Sequence, residues 1–548
     1  MKHIFTLLII TMQALLVLSN TAYTQWSNIP ICVASGNQSN QTIVSDGSGG
    51  AVITWADART GTADIYAQRI NSSGTVQWSV DGVVICTATG GQYTPKIVSD
   101  GSGGAIITWA DNRSGTNDIY AQRINSSGAV QWAVDGVAIC TATGVQFSQA
   151  IASDGSGGAI ITWQDARTGS SNIYARKINS DGVVQWAVDG VAICTASSPQ
   201  FNPTIVSDGS GGAIITWEDT RGFGSDIYAQ RINSSGTVQW TANGVIVCGA
   251  SGSQNNPMIV SDDVTGAIIT WQDYRSTSNA DIYAQRINLS GVVQWISNGE
   301  AICTTTVYDQ IVPTITNDGA SGAIITWSDH RTGTDAIYVQ RINSSGAVQW
   351  TSEGVVISNF ATVATNQQIV SDDAGGAIIT WEDSRGDIYA QRINLSGVVQ
   401  WTANGVGIGT GGSSPTIVSS GSGGAIIATS GTDIYASQLD GNGLLPVELT
   451  LVPDKFKLSQ NYPNPFNPST TIQFGLPNAS YVKLKIFNIL GQEVATLINE
   501  NRDAGQHSVQ WNAHGLASGV YFYRLSAHQM DAKQTTDFVQ IKKLLLIK

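Results

Sequence analysis

Histidine, lysine and long apolar runs are scarce in this sequence. Of its five His, only His330 falls between residues 25 and 445, and the same stretch holds just two Lys, Lys96 and Lys177. A lone loop histidine with no partner nearby in sequence reads as a surface residue rather than as a catalytic one. Only 12% of residues are charged. Residues 1–445 carry 17 Lys and Arg against 33 Asp and Glu, net −16, whereas residues 446–548 carry 10 against 7, net +3. An acidic body repels phosphate backbones, so nucleic acid is excluded as a partner. No apolar run beyond the N-terminus approaches the roughly 20 residues that span a membrane, so no transmembrane segment is expected in the mature chain. There is no phosphate loop, no nucleophile elbow and no closely spaced Cys and His, so neither a cofactor nor a metal site is expected.

The six Cys do not read as disulfides either. Cys32, Cys86, Cys140, Cys194, Cys248 and Cys303 stand at one equivalent place in successive copies of a repeat. Equivalent positions in stacked sheets lie about 10 Å apart, while a bridge needs Cα atoms within about 7 Å. They are expected to be buried small apolar side chains.

What is abundant is repetition. Trp55, Trp109, Trp163, Trp217, Trp271, Trp327 and Trp381 each end an apolar run of the AIITW type, separated by 54, 54, 54, 54, 56 and 54 residues. An eighth copy, Ala425 to Ser430, has lost its Trp. A second series, Trp26, Trp78, Trp132, Trp186, Trp240, Trp295, Trp350 and Trp401, follows Gln each time. Each period predicts four strands: a TIV run ending at Ser-Asp-Gly, the doubly covered GAIITW, DIYAQRI, and VQW with GVAIC. The repeat region begins with a fourth strand, Gln25 to Val33, and ends with the first three, Pro415 to Leu439. That offset suits a ring latched by its two termini. The predicted fold is all-β: an eight-bladed β-propeller over 25–445, a linker at 446–455, and a small immunoglobulin-like β-sandwich at 456–548. Residues 1–24 read as a cleavable signal peptide, and the exported chain is expected to be a monomer.

Two repeated polar patterns need assignment. Trp-x-Asp-x-Arg supplies Asp57 and Arg59, Asp111 and Arg113, Asp165 and Arg167, Asp219 and Arg221, Asp273 and Arg275, Asp329 and Arg331, and Asp383 and Arg385. Downstream come Arg69, Arg123, Arg231, Arg286, Arg341 and Arg392, with Lys177 in the remaining unit. A polar pair present in every unit is expected to pin loops and hold neighbouring blades together; the alternative is a polar ring that touches a multivalent ligand. The acids of the SDGSGG turns, Asp46, Asp100, Asp154 and Asp208, are too sparse for a calcium loop, and the recurring Asn-x-Ser sequences at Asn71 and its equivalents read as turns. The variable stretches between units place Tyr93, Phe147, Phe201 and Tyr308 at the same end as the Asp-x-Arg loops. Exposed aromatics beside polar groups suit recognition of a glycan or an extracellular protein. Glu218 and Glu382, each in a Trp-Glu-Asp, are the candidates for paired acids.

The turn Asp100-Gly101, the run to Trp109, Asp111 with Arg113, and Asp118-Ile119-Tyr120 together resemble propeller repeats of the TolB type, which implies the fold only. The tail is more specific. Asn461-Tyr462-Pro463-Asn464-Pro465-Phe466-Asn467-Pro468, Ile486-Phe487-Asn488-Ile489-Leu490-Gly491-Gln492, Leu516-Ala517-Ser518-Gly519-Val520-Tyr521 and Lys542-Lys543 resemble the type A C-terminal sorting domain of type IX secretion substrates. Phe487 stands where Tyr is common. The resemblance implies the type IX machinery as a partner, export across an outer membrane, removal of the domain, and release or attachment at the cell surface. The function expected is binding or adhesion toward glycans or proteins; a polysaccharide-acting enzyme and a matrix scaffold are the alternatives.

Overall fold

A computed structural model describes residues 26–442 and 455–547, apart from residues 265, 277, 278, 306, 307, 332, 359–362, 385, 411, 462, 503, 504 and 530–536. The expected signal peptide, Arg385 and nearly all of the expected linker lie outside the described residues. The chain divides into two compact units, Met1–Leu445 and Pro446–Lys548.

The first unit is eight four-stranded antiparallel sheets of one plan. Sheet 2 shows it: Gln92–Ser99, Ala105–Asp111, Asp118–Ile124 and Val137–Cys140 pair in that order. The second strand is buried at every residue, as a doubly covered apolar run requires. Its register puts Trp109 opposite Tyr120 and Asp111 opposite Asp118. Sheet 8 is composite: Ser413–Gly421, Gly424–Ser430 and Ile434–Leu439 are completed by the N-terminal strand Ile29–Cys32, with Ile29 opposite Ala436. The first strand of each sheet lies beside that of the next, and the first strand of sheet 8 lies beside that of sheet 1.

Apolar cores fill each boundary between sheets. Trp109, Ile107 and Ala105 of sheet 2 pack on Val52, Ala67, Ile85 and Cys86 of sheet 1. At the other end of the strands, polar bonds join the same neighbours. The indole N–H of Trp78 donates to Ser126 O of sheet 2 at 3.2 Å, and Arg69 Nη1 reaches the same carbonyl at 3.0 Å. The bond recurs at all eight boundaries, including Trp401 to Gly441 O at 3.2 Å and Trp26 to Ser72 O at 3.3 Å.

Two expectations need correction. Val-Gln-Trp is not part of the fourth strand, which is only Val83–Cys86 in sheet 1. Its backbone is turned aside because Trp78 N donates to the Gln68 side chain at 2.9 Å while the ring leaves for the next sheet. The variable stretch around Tyr93, Gly91 to Pro95, is likewise not all connecting loop: Tyr93 lies inside the first strand, paired with Ala110, ahead of a bulge between Tyr93 and Lys96.

The second unit has a three-stranded sheet, Lys457–Leu458, Ser469–Leu476 and Gly505–Asn512, and a four-stranded one, ordered Glu493–Arg502, Ser480–Phe487, Gly519–Gln529, Asp537–Leu546. Ile472 and Phe474 of one and Leu484, Tyr523 and Leu544 of the other share a single core.

Candidate functional site

In sheets 1 to 6 each Trp-x-Asp-x-Arg is a compact polar knot at the end of the second strand. Asp111 is fully buried. Its Oδ2 accepts from the Trp109 indole at 2.7 Å and from Arg113 Nη2 at 2.6 Å, while Oδ1 takes the Arg113 backbone N–H at 3.0 Å and Nε at 2.8 Å. This is the bidentate fork that favours Arg over Lys. The guanidinium lies 3.8 Å from the Tyr120 ring centroid, a cation–π contact, and donates to Asp135 O at 2.8 Å and to the Cys86 sulfur of the preceding sheet at 3.3 Å. Burial pushes the Asp57 carboxyl of sheet 1 upward, but Arg59, the Trp55 indole and the Arg59 backbone N–H together hold it below the usual range. Burial pushes the Cys86 thiol up to about 12. The repeated cysteines are free and buried, and they serve as soft acceptors for the neighbouring Arg as well as apolar filler.

The second Arg series is equally engaged. Asp46 Oδ1 accepts Ser48 N and Gly50 N, closing the SDGSGG turn, while Oδ2 meets Arg69 Nη2 at 2.8 Å. Asn71 Oδ1 takes Ser73 N and Thr75 N, so the Asn-x-Ser stretch is a turn built on its asparagine.

The accessible chemistry sits at the start of the first strands. At the bulge, one non-glycine residue per sheet is left-handed: Asn40, Thr94, Ser148, Asn202, Asn256, Val312, Asn366 and Ser414, with φ from 49° to 55°. All eight are exposed. Asn tolerates this conformation, whereas a β-branched Thr or Val is strained there. Where the residue between Trp and Asp is long, it caps the bulge of the following sheet: Gln164 Oε1 accepts Asn202 N at 3.0 Å, Glu218 Oε1 accepts Asn256 N at 2.7 Å, Gln272 Oε1 accepts Val312 N at 3.2 Å and Glu382 Oε2 accepts Ser414 N at 3.2 Å. Ala56 and Ala110 offer nothing of the kind to Thr94 and Ser148. The Gln repeated ahead of the bulge in sheets 1 to 6 is buried, and Gln92 Nε2 donates to Ala88 O and Gly90 O, which fixes the loop entering the strand. The left-handed ring is not evident from residue types alone, because it mixes Asn, Thr, Ser and Val, whereas the repeated glutamine ahead of it is a signal the sequence does carry.

Tyr93, Phe147 and Phe201 fall at one equivalent place, directly before the bulge of sheets 2, 3 and 4. Tyr93 is 42% exposed and leans back over Gly91, where a Cβ would run into its ring. Phe147 and Phe201 are half-buried. Tyr308 is not in this set. It precedes Gln310, its carbonyl accepts from Asn279 and Gln310, and the equivalent of Tyr93 in sheet 6 is Ile311. The other three each directly follow the repeated Gln, Gln92, Gln146 and Gln200, whereas Tyr308 stands two residues ahead of Gln310. Glu218 and Glu382 stand three sheets apart, each also bonded to an Asn of its own sheet, Asn202 and Asn366. His330 pairs through Nε2 with Asp335 in the loop of sheet 6. Among the described residues, no three His, Cys, Asp or Glu side chains gather as a metal would need, and no helix is long and apolar enough to cross a membrane.

In the second unit, Asn461 donates its backbone N–H to the Tyr523 hydroxyl at 2.9 Å and its side-chain amide to Thr470 at 2.9 Å, with Pro463 O accepting from Asn461 and Thr470. Phe466, after Pro465, is buried 5.5 Å from the Trp511 centroid and ties to the last strand through Leu545 O. Gly491 closes the turn begun by Asn488, Gly519 opens the strand carrying Tyr521, and Tyr521 bonds Ala517 O. Lys542 and Lys543 lie opposite Tyr523 and Phe522.

None of the curated proteins matches the chain. Among solved structures, a Penicillium chrysogenum α-L-arabinanase complexed with arabinobiose is 12% identical over 55% of this chain and 94% of its own, with a TM-score of 0.33. Prolyl oligopeptidase B from Galerina marginata is 11% identical over 83% and 56%, with a TM-score of 0.41. PorZ of Porphyromonas gingivalis, a surface component of the type IX secretion system, is 12% identical over 91% and 74%, with a TM-score of 0.28. Residues 460–541 match the family of secretion system C-terminal sorting domains, and the chain therefore carries a sorting domain behind its eight sheets.

Proposed function

We infer that the eight sheets form a closed eight-bladed β-propeller that is delivered to the cell surface or medium by the type IX system and binds glycans through the face bearing the Asp-x-Arg loops. Closure is supported by the strand pairing of Ile29 with Ala436 and by the Trp bonds at both ends of the series. The observation that carries the binding reading is the ring of eight exposed bulge residues, seven of them neutral hydrogen-bonding side chains, beside Tyr93, Phe147 and Phe201. Neutral donors and acceptors next to an aromatic face are what a sugar presents complementarity to. The six Asp-x-Arg pairs of sheets 1 to 6 are consumed in holding sheets together. Glu218 and Glu382 each cap a neighbouring bulge, which gives them a structural duty in place of acid–base work. The C-terminal sorting domain supplies the address and is expected to be removed after export.

The test is binding of the full-length purified chain to a broad glycan array. Saturable binding to a restricted set of glycans supports the reading. A blank array overturns it and leaves protein binding or a matrix role as the better account.

A further inference from the structure

The cations of the first unit follow a rule, and Lys96 breaks it. Every Arg of the two repeated series whose side chain is described sits against a carboxylate, as Lys177 does with Asp154 at 3.1 Å. Arg176, the other cation outside the series, gives its Nη1 to the Ile139 carbonyl. Lys96 forms no ion pair or hydrogen bond among the described residues and is exposed. It lies on the first strand of sheet 2, opposite Thr108 and two residues beyond the left-handed Thr94. The seven equivalent positions are uncharged, among them Thr42, Ala150, Met258 and Gln368. First strands lie beside one another around the unit, so this position is on its inner rim. Burial lowers the amine of Lys96 from its usual range even though the side chain is exposed. That combination belongs to a group standing in water with protein around it, not to one on an outer surface.

The surroundings of Lys96 are rich in donors. Tyr93, three residues before it, brings an exposed phenol. Ala56 and Ala110 stand at the positions from which sheets 4, 5, 6 and 8 receive a side-chain carbonyl or carboxylate of the preceding sheet, so the backbone N–H groups of Thr94 and Ser148 have no such cap. The sector of sheets 2 and 3 therefore lacks the acceptors found in sheets 4, 5, 6 and 8, and among the described residues it holds the one cation of the rim that meets no carboxylate or carbonyl.

We propose that this sector is a subsite for a carboxylate-bearing sugar, with the Lys96 ammonium taking the carboxylate and Tyr93 and Phe147 bordering the ring. The proposal rests on the reading of this face as glycan-binding and names the class of sugar. Lys96 is the discriminating group: an ammonium paired with a carboxylate outside bulk water distinguishes an acid from its ester, whereas aromatic contacts do not.

The experiment is calorimetric titration of the full chain with digalacturonic acid and its methyl ester, and with sialyllactose and its methyl ester. The expected result is tighter binding of one acid than of its ester by about tenfold, a gap that narrows as salt rises. Lys96→Met removes the gap and Lys96→Arg keeps it. The Met variant is expected to fold, because Met258 already occupies this position in sheet 5; its melting temperature verifies this. Equal binding of acid and ester by the wild type overturns the proposal while leaving the glycan reading intact. A gap that survives Lys96→Met overturns the role of Lys96, and absence of binding to either acid overturns the choice of sugar.

Discussion

Arg113 reaches across a sheet boundary to hold its Nη2 atom 3.3 Å from the sulfur of Cys86, which belongs to the preceding sheet. The same atom is 2.6 Å from Asp111 Oδ2, so one guanidinium ties its own sheet to its neighbour. Arg113→Ala strands a fully buried carboxylate, and the expected loss is about 3 kcal/mol or more. Arg113→Lys recovers only part, since an ammonium cannot reproduce the fork. Chemical denaturation of both variants measures this, and a loss under about 0.5 kcal/mol for Arg113→Ala contradicts the clamp.

Thiol reactivity tests the same knots from the sulfur side. Burial pushes Cys32, Cys86, Cys140, Cys194 and Cys248 each up to about 12, and Cys303 is raised as well. A thiol that stays protonated at pH 8 does not alkylate. No sulfur of the native chain is expected to react with iodoacetamide, and all six are expected to react in denaturant. Mass spectrometry counts the adducts; rapid labelling of the native protein contradicts the packing.

Two glycines of sheet 2 predict unequal costs. A Cβ on Gly128 would stand 2.7 Å from the Trp78 ring that seals the boundary, whereas one on Gly101 meets nothing within 4 Å; both residues have positive φ. Gly101→Ala is expected to cost about 1 kcal/mol of backbone strain. Gly128→Ala adds a steric clash and is expected to cost at least about 1 kcal/mol more. Equal melting temperatures for the two variants contradict the seal.

Much of this was legible in the sequence, and the limits have physical causes. The Trp55-to-Trp381 series marked seven of the eight sheets, each with a large ring in the same interior slot, and the Trp-less run Ala425 to Ser430 marked the eighth. The run AIITW announced a strand covered on both faces, and all of Ala105–Asp111 is buried. The second Trp series misled, since Trp78 shares the residue type of a strand core while its backbone has already left the ladder. The bulge ring was hidden because left-handed φ is signalled by glycine, and none of the eight residues is glycine. Tyr308 was grouped by its aromatic character. Counting from the repeated Gln310 would have placed it outside the set.

Two acid groups give the pH dependence opposite signs. The Asp57 and Asp165 carboxyls sit below their usual range, because Arg59 and Arg167 with the Trp indoles outweigh burial. Their folded pKa lies below the unfolded value of about 3.9, so their stabilisation is present above that pH and is lost as pH falls further. Burial, with the nearby Asp273 charge adding to it, pushes Asp281 up to about 6. Its contribution is full below about pH 4 and is lost as pH rises through about 6. Asp281→Asn is therefore expected to raise the melting temperature at pH 7.5 relative to wild type and to change it little at pH 4. Asn172 already fills the equivalent place in sheet 3, giving its amide to Thr168 at 2.7 Å. A shift of equal size at both pH values contradicts the assignment.

The most direct test of the binding face is the affinity of the Tyr93→Ala/Phe147→Ala double variant for whichever glycan the wild-type chain selects. Both side chains sit before the bulge and outside the repeated Asp-x-Arg knots, so the melting temperature is expected to stay within a few degrees of wild type. The account expects at least a tenfold weakening, about 1.4 kcal/mol. Unchanged affinity in a folded double variant contradicts the placement of the ligand on this face.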